Sequence, residues 1–249
     1  MEKITSRRNP LCMQIKKLGE SRSYRESCGE FLCDGEKLLE EALASGAEIT
    51  AVLTASSIPF PLPVDTRVYY AGPGIVDSIS PLKNAQDTLF TCKIPRQAVC
   101  GDCLTGTHIL LDGVQDPGNV GTIIRTANAF GIERVILTGA CADQYNPKTV
   151  RASMGALFRQ RICRLNLSEL NWLRDQGVRF IGAVSGEKSQ NITGIELKNS
   201  IIAIGNEGQG LSLEILALCS ERVRIPISPE CESLNAAVAA AIIIWMARQ

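Results

Sequence analysis

Short apolar runs and amphipathic stretches alternate along this chain, separated by clusters of glycine, proline and asparagine. In the first hundred residues the pattern predicts a helical segment near Cys12 to Lys17 and a strand at EFLCDG. A helix at EKLLEEALASG follows, closed by Gly46, and then a strand at EITAVLT. The proline-rich SSIPFPLPVD reads as a loop and RVYYAG as a strand, with weaker patterns continuing to about Ile94. These elements describe a small α/β unit. The stretch PRQAVCGDCLTGT, Pro95 to Thr107, loses periodicity, so the expected organisation is a domain over 1-97, a linker over 98-106 and a second domain over 107-249.

Beyond the linker, strands at HILLDGV, RVILTG, RICRLN, RFIGAVS, SIIAIGN and RVRIPI alternate with helices. The helices are expected from about Gly118, over Pro147 to Leu157, at LSELNWLRDQG, at SLEILALCS and from Leu234 to the end. Short apolar strands separated by helices predict a mostly parallel sheet covered on both faces, which takes its ligands at the C-terminal strand ends. The last helix, SLNAAVAAAIIIWMARQ, is apolar nearly all round. It is therefore buried on more than one side, either as a central core helix or at a subunit interface.

Composition narrows the class. The chain has 249 residues and is 45% hydrophobic, enough to fill a real core. The N-terminus has no continuous apolar segment of the signal-peptide kind, and the longest apolar run, Ala236 to Ala247, is too short to span a bilayer. A cytoplasmic protein without membrane contact is expected. Ten cysteines are scattered without a disulfide framework and read as reduced thiols. Cys100 and Cys103 form one CxxC, but no second pair stands at ligand spacing, so no metal is expected and the pair reads as two incidental thiols in a spacer. His108 is the only histidine, which removes most schemes built on a catalytic imidazole. Net charge is zero, yet Met1 to Arg25 holds seven bases against two acids, and Gln144 to Ser168 holds five bases and no acid. Such stretches either hold phosphates or form ordinary solvated faces.

Two polar, glycine-rich loops follow strands: DGVQDPGNVG and GNEGQG. Asp116 can cap the helix after the first loop and Pro117 suits its opening turn. Neither loop is GxGxxG or the GxxxxGK[ST] phosphate loop, which disfavours dinucleotide enzymes and nucleoside triphosphatases. A third segment, RIPISPECESLN, ends in a proline bend and opens the last helix with Ser233 and Asn235, Ser233 being a competent N-cap. Three such strand-end loops suit a ligand with hydrogen-bonding edges.

The segments DPGNVGTIIRTANAFG, VRASMGALFR, IIAIGNEGQGLS and IPISPECESLNAAVAAAI resemble, in order and spacing, the motifs of the SpoU/TrmH RNA 2'-O-ribose methyltransferases of the SPOUT superfamily. The match runs from about Thr107 to Gln249. ITSRRNP and GEFLCDGEKLLEEAL resemble, less specifically, the ribosomal-protein-like substrate-binding domain often fused in front of these enzymes. The resemblance implies an α/β fold: a SPOUT-type parallel sheet with a C-terminal trefoil knot, preceded by a small α/β RNA-binding domain. It also implies a homodimer through the knotted domain and S-adenosylmethionine as cofactor, held by Gly205, Asn206, Gly208, Gly210, Ile225 and Leu234. The implied reaction is methylation of a ribose 2'-hydroxyl in structured RNA, ribosomal RNA first.

Asn119, Arg125, Glu207, Ser233 and Asn235 match the family's functional positions. Arg125 is expected to grip the target phosphate and stabilise developing alkoxide charge, with proton removal by Arg125 itself left open, because a guanidinium pKa above ~12 makes a poor resting base. Glu207 either fixes Arg125 or its loop, or merely stabilises a helix N-terminus. RNA contacts are expected from Arg7, Arg8, Lys16, Lys17, Arg151 and Arg159, with the Gln144 to Ser168 stretch nearer the active site. Ala237 departs from the pattern, since many relatives carry a second serine there. Transfer RNA as substrate, or a silent RNA-binding or assembly protein, are the alternatives, and the intact set of five polar residues speaks against the silent one.

Overall fold

A computed structural model of the chain describes residues 2–95, 105–186 and 189–249. Most of the expected linker, with Cys100 and Cys103, lies outside the described residues. The chain forms two compact units.

The N-terminal unit begins with β1 (Glu2–Ile4), α1 (Pro10–Glu20), α2 (Arg22–Cys28) and β2 (Glu30–Asp34). It continues through α3 (Glu36–Ala44), β3 (Ile49–Thr54), β4 (Arg67–Ala71), α4 (Pro73–Ile79) and β5 (Thr88–Lys93). The five strands make a mixed sheet in the order β1-β4-β3-β5-β2, with β2 and β3 antiparallel to β5. Leu32, Leu53 and Leu89 on one face pack with Cys12, Ile15 and Leu18 of α1 and with Val76 and Ile79 of α4. Asn9 starts α1 by accepting the Leu11 amide, and Pro10 fills the first turn, where a missing N–H costs nothing. The sequence pattern did not reveal α2, a single seven-residue helix whose one buried side chain is Arg25.

The second unit opens with β6 (His108–Asp112), α5 (Pro117–Ala129) and β7 (Arg134–Thr138). The chain then runs through α6 (Pro147–Ser153) to β8 (Ile162–Arg164), α7 (Leu167–Asp175), β9 (Phe180–Ala183) and β10 (Gln190–Asn191). It ends with β11 (Ile201–Ile204), α8 (Leu213–Leu218), β12 (Glu221–Arg224) and α9 (Ala236–Arg248). Seven strands form an all-parallel sheet, β10-β12-β9-β11-β6-β7-β8, as the alternation of strands and helices predicts. Leu170, Leu173, Ile215 and Leu218, from α7 and α8, join Leu110, Ile136, Phe180 and Ala203 in one core cluster. Helices α5 and α9 pack on each other, and the Phe130 and Trp245 rings meet edge to face at 5.6 Å.

Chain order does not divide the units cleanly, because Asp143–Arg159 packs with the N-terminal unit. Phe31 of β2 stacks near Tyr145 at 4.8 Å and Phe158 at 6.2 Å. Arg25, 3% exposed, binds Asp143 through Nε and Nη2 at 2.9 and 2.6 Å and the Leu18 carbonyl through Nη1. Arg25 is thus a core residue rather than part of a basic face. Helix α6 also stops earlier than its pattern predicts. Met154 and Gly155 both take left-handed backbone, and a Cβ on Gly155 would lie 2.8 Å from Glu41 Cβ, so only glycine fits there before the short 3-10 turn Ala156–Phe158.

Candidate active site

In the second unit the strand order reverses direction at β6 and β11, and the polar loops follow these strands and β12 at their C-terminal ends. Parallel α/β sheets bind ligands at such ends. A cleft of about 840 Å³ lies there, bounded by Ala183–Gly186 after β9, Ile204–Leu211 after β11 and the segment from Val223 to Leu234. Ala236, Ala239 and Ile243 of α9 close one side. Gly205, Asn206, Gly208, Gly210, Ile225 and Leu234 all line this cleft, together with Glu207 and Ser233.

The loop after β11 holds its own shape. Asn206 and Gly210 exchange backbone hydrogen bonds at 2.9 Å, and a Cβ on Gly205 would sit 2.1 Å from the Gly210 carbonyl carbon. Glycine at 205 is therefore demanded by the loop's own fold. The Asn206 side chain reinforces the same turn, with its Oδ1 accepting from the Gly208 and Gln209 amides and its Nδ2 donating to the Gly113 carbonyl at 2.8 Å. Asp112, at the end of β6, accepts the Ser212 amide at 2.7 Å. Two groups at the end of β6 thus pin the loop at both ends.

A second hydrogen-bonded chain ties three elements together. Asn119 in the first turn of α5 donates through Nδ2 to Glu207 Oε1 at 2.8 Å, and its Oδ1 accepts from Asn235 Nδ2 at 3.0 Å. Asn235 in turn accepts the Ala237 and Val238 amides and caps α9. Asn235, not Ser233, is therefore the N-cap, and the helix starts at Ala236 rather than Leu234. The backbone amide of Ala237 is satisfied although a serine hydroxyl is missing there. Asp116 caps α5 as expected, accepting the Asn119 amide at 2.8 Å.

Arg125 stands apart. It is exposed on α5, two turns after Asn119, does not line the cleft, and makes no hydrogen bond or ion pair among the described residues. Arg151 and Arg159 lie in the N-terminal unit, and neither lines the cleft of the second. Arg151 donates to the Asn84 carbonyl and sits 4.0 Å from Asp34, and Arg159 pairs with Glu41 at 2.5 Å. Both arginines thus spend hydrogen bonds and charge within the N-terminal unit, on Asn84 and Asp34 and on Glu41. Arg7, Arg8, Lys16 and Lys17 are exposed. Sequence reading missed the Ala183–Gly186 edge of the cleft; the small residues of GAVSG at the end of a strand were its signal. Among the described residues no three His, Cys, Asp or Glu side chains are grouped to hold a metal, and no helix is long and apolar enough to cross a membrane.

Residues 106–245 match the SpoU rRNA Methylase family model. The chain belongs to this family. It is 33% identical over 254 residues to the 23S rRNA (guanosine(2553)-2'-O)-methyltransferase RlmP of Bacillus subtilis (strain 168), with both chains covered completely. It is 28% identical to the 23S rRNA (adenosine(1067)-2'-O)-methyltransferase of Streptomyces laurentii, over 97% of this chain and 93% of that one. Among solved structures, the AdoMet-bound rRNA methyltransferase from Sinorhizobium meliloti superposes with a TM-score of 0.86 at 28% identity, covering 99% of this chain and 97% of that one. For a TrmH-family protein of Porphyromonas gingivalis the TM-score is 0.84 at 32% identity, with 96% and 98% covered.

Proposed function

We propose that this protein methylates the 2'-hydroxyl of a ribose in ribosomal RNA, with S-adenosylmethionine as the methyl donor. The observation that carries this reading is the cleft at the ends of β9, β11 and β12, locked to α5 and α9 through Glu207, Asn119 and Asn235, in a chain of the SpoU family. The residues fit the cofactor. Leu211, Ile225 and Ile243 offer apolar surface for a purine, and the glycine-rich loop offers backbone groups for polar edges.

S-adenosylmethionine supplies an electrophilic methyl group. Asn119, Glu207 and Asn235 keep three loops in register, which fixes the geometry before the substrate arrives. Arg125, exposed and free of protein partners among the described residues, takes a phosphate of the target RNA and stabilises negative charge as it develops on the 2'-oxygen. A role for Arg125 as proton acceptor demands a neutral guanidine, which a pKa above ~12 opposes. Ser233, lining the cleft beside Leu234, is assigned to the ribose side.

The N-terminal unit is the RNA-holding domain in this reading, with Arg7, Arg8, Lys16 and Lys17 as its phosphate contacts. The protein works in the cytoplasm as a homodimer with the knotted C-terminal topology of its superfamily. Val238 and Trp245 on α9, 49% and 51% exposed, support an interface on that helix. The test is incubation with tritiated S-adenosylmethionine and unmodified ribosomal or transfer RNA, beside an Arg125→Ala variant. Label in ribosomal RNA as alkali-resistant 2'-O-methyl nucleotides, lost in the variant, is the expected result. Label confined to transfer RNA, or absent from every RNA, refutes it.

A further inference from the structure

The N-terminal unit contains a second cavity, of about 300 Å³, roofed by the first turns of α1 over the sheet. Methyl transfer makes no use of it. Its chemistry is specific. The side chain of Glu30, 11% exposed, lines it, with Oε2 accepting from Gln14 Nε2 at 2.8 Å and Oε1 from Lys93 Nζ at 3.0 Å. A carboxylate has about four lone-pair sites, so this one is held from two sides and keeps an acceptor on each oxygen. Lys93 balances its charge and Gln14 fixes its orientation, so the carboxylate is held in place at the cavity wall. A β-bulge at Ile49/Ala51 shapes the neighbouring wall and sets the Thr50 hydroxyl 2.6 Å from that of Thr91. Bulges of this kind re-aim side chains beside functional sites. Tyr69 contributes a half-buried ring, and Arg67 is exposed with no hydrogen bond or ion pair among the described residues.

A fixed carboxylate, an aromatic wall and an exposed guanidinium suit one ligand class. We propose that this cavity is a recognition pocket for an unpaired guanine nucleotide of the RNA substrate, an inference that rests on the RNA-methyltransferase reading above. Guanine presents two adjacent N–H donors, N1–H and the N2 amino group, which match the two oxygens of Glu30; adenine, uracil and cytosine do not present that pair. Tyr69 stacks on the base and Arg67 takes its phosphate, the mode by which proteins read unstacked bases in loops. Lys3 and Arg8, both exposed and next in sequence to the cavity residues Glu2 and Asn9, supply charge for flanking phosphates.

The test uses the full chain and fluorescence anisotropy with labelled hairpin RNAs whose loop holds one guanosine among uridines, or adenosine or inosine in its place. Wild type is expected to prefer the guanosine loop over adenosine by about tenfold, with inosine, which lacks the N2 amino group, in between. Glu30→Gln removes the preference. Arg67→Ala, at an exposed position that the fold does not need, weakens binding of the guanosine loop several-fold. Equal affinity for guanosine and adenosine loops in wild type, or an Arg67→Ala variant that binds as wild type, overturns the pocket. A wild-type protein that methylates ribosomal RNA without this preference sinks the pocket alone, whereas one that neither methylates nor binds RNA sinks both readings.

Discussion

Asp112 is expected to set cofactor affinity from outside the cleft. Its carboxylate, 7% exposed at the end of β6, accepts the Ser212 amide at 2.7 Å, and Ser212 is the N-cap of α8. Asp112→Ala removes one of the two pins that the end of β6 places on the glycine-rich loop after β11, leaving the Asn206 to Gly113 hydrogen bond as the other. A hydrogen bond to a charged group contributes about 1.5–3 kcal/mol. If the loosened loop must be reordered whenever the cofactor binds, S-adenosylmethionine affinity falls roughly ten- to hundredfold. Asp112→Asn keeps an acceptor oxygen without the charge and recovers most of that loss. Titration calorimetry with S-adenosylmethionine on the three proteins measures the effect directly, and kinetics separate it from damage to the chemistry. KM for the cofactor should rise while kcat at saturation changes by less than about twofold. Unchanged affinity in a folded Asp112→Ala protein, or an asparagine variant no better than alanine, refutes the reasoning.

Two further outcomes follow from the structure. His108, 2% exposed, has its pKa lowered to about 4, first by burial and then by Arg134. The unfolded chain then takes up the proton near pH 6.5 while the folded one resists. Stability should be full above that pH and fall by up to about 3 kcal/mol as pH drops toward 4. Urea unfolding midpoints at several pH values check this, and a His108→Leu variant that keeps the same slope between pH 6.5 and 5 contradicts it. Arg25→Ala strands the Asp143 carboxylate beside the N-terminal core and should cost about 3–5 kcal/mol, much of it restored by Arg25→Met with Asp143→Asn. Denaturant unfolding followed by tyrosine fluorescence reads this directly, and a loss under about 1 kcal/mol would show that Arg25 is not needed for the fold.

The parallel sheet, the order of its strands along the chain and five of its helices were legible because apolar strands and amphipathic helices write different periods into the sequence. Edge strands β1 and β10, three and two residues long, left no period to read. Strand β12 ends at Arg224, two residues before Pro226, which lacks the N–H a strand ladder needs. The cleft residues from 205 to 210 were legible as a polar, glycine-rich loop after a strand. Asp112 was not, because an acidic residue at a strand end carries no pattern until its partner a hundred positions away is known.

Local chemistry thus determines the α/β class, the caps at Asn9 and Asp116 and the family motifs, since each depends on residues within a few positions of one another. Tertiary structure alone decides which groups are spent on the protein itself. It buries Arg25 against Asp143, commits Arg159 to Glu41, turns Asn206 inward and leaves Arg125 without a partner among the described residues. It also moves Asp143–Arg159 into the N-terminal unit. The reason is physical: a charge becomes structural or functional according to what the fold brings within hydrogen-bonding distance, and those partners lie far apart along the chain.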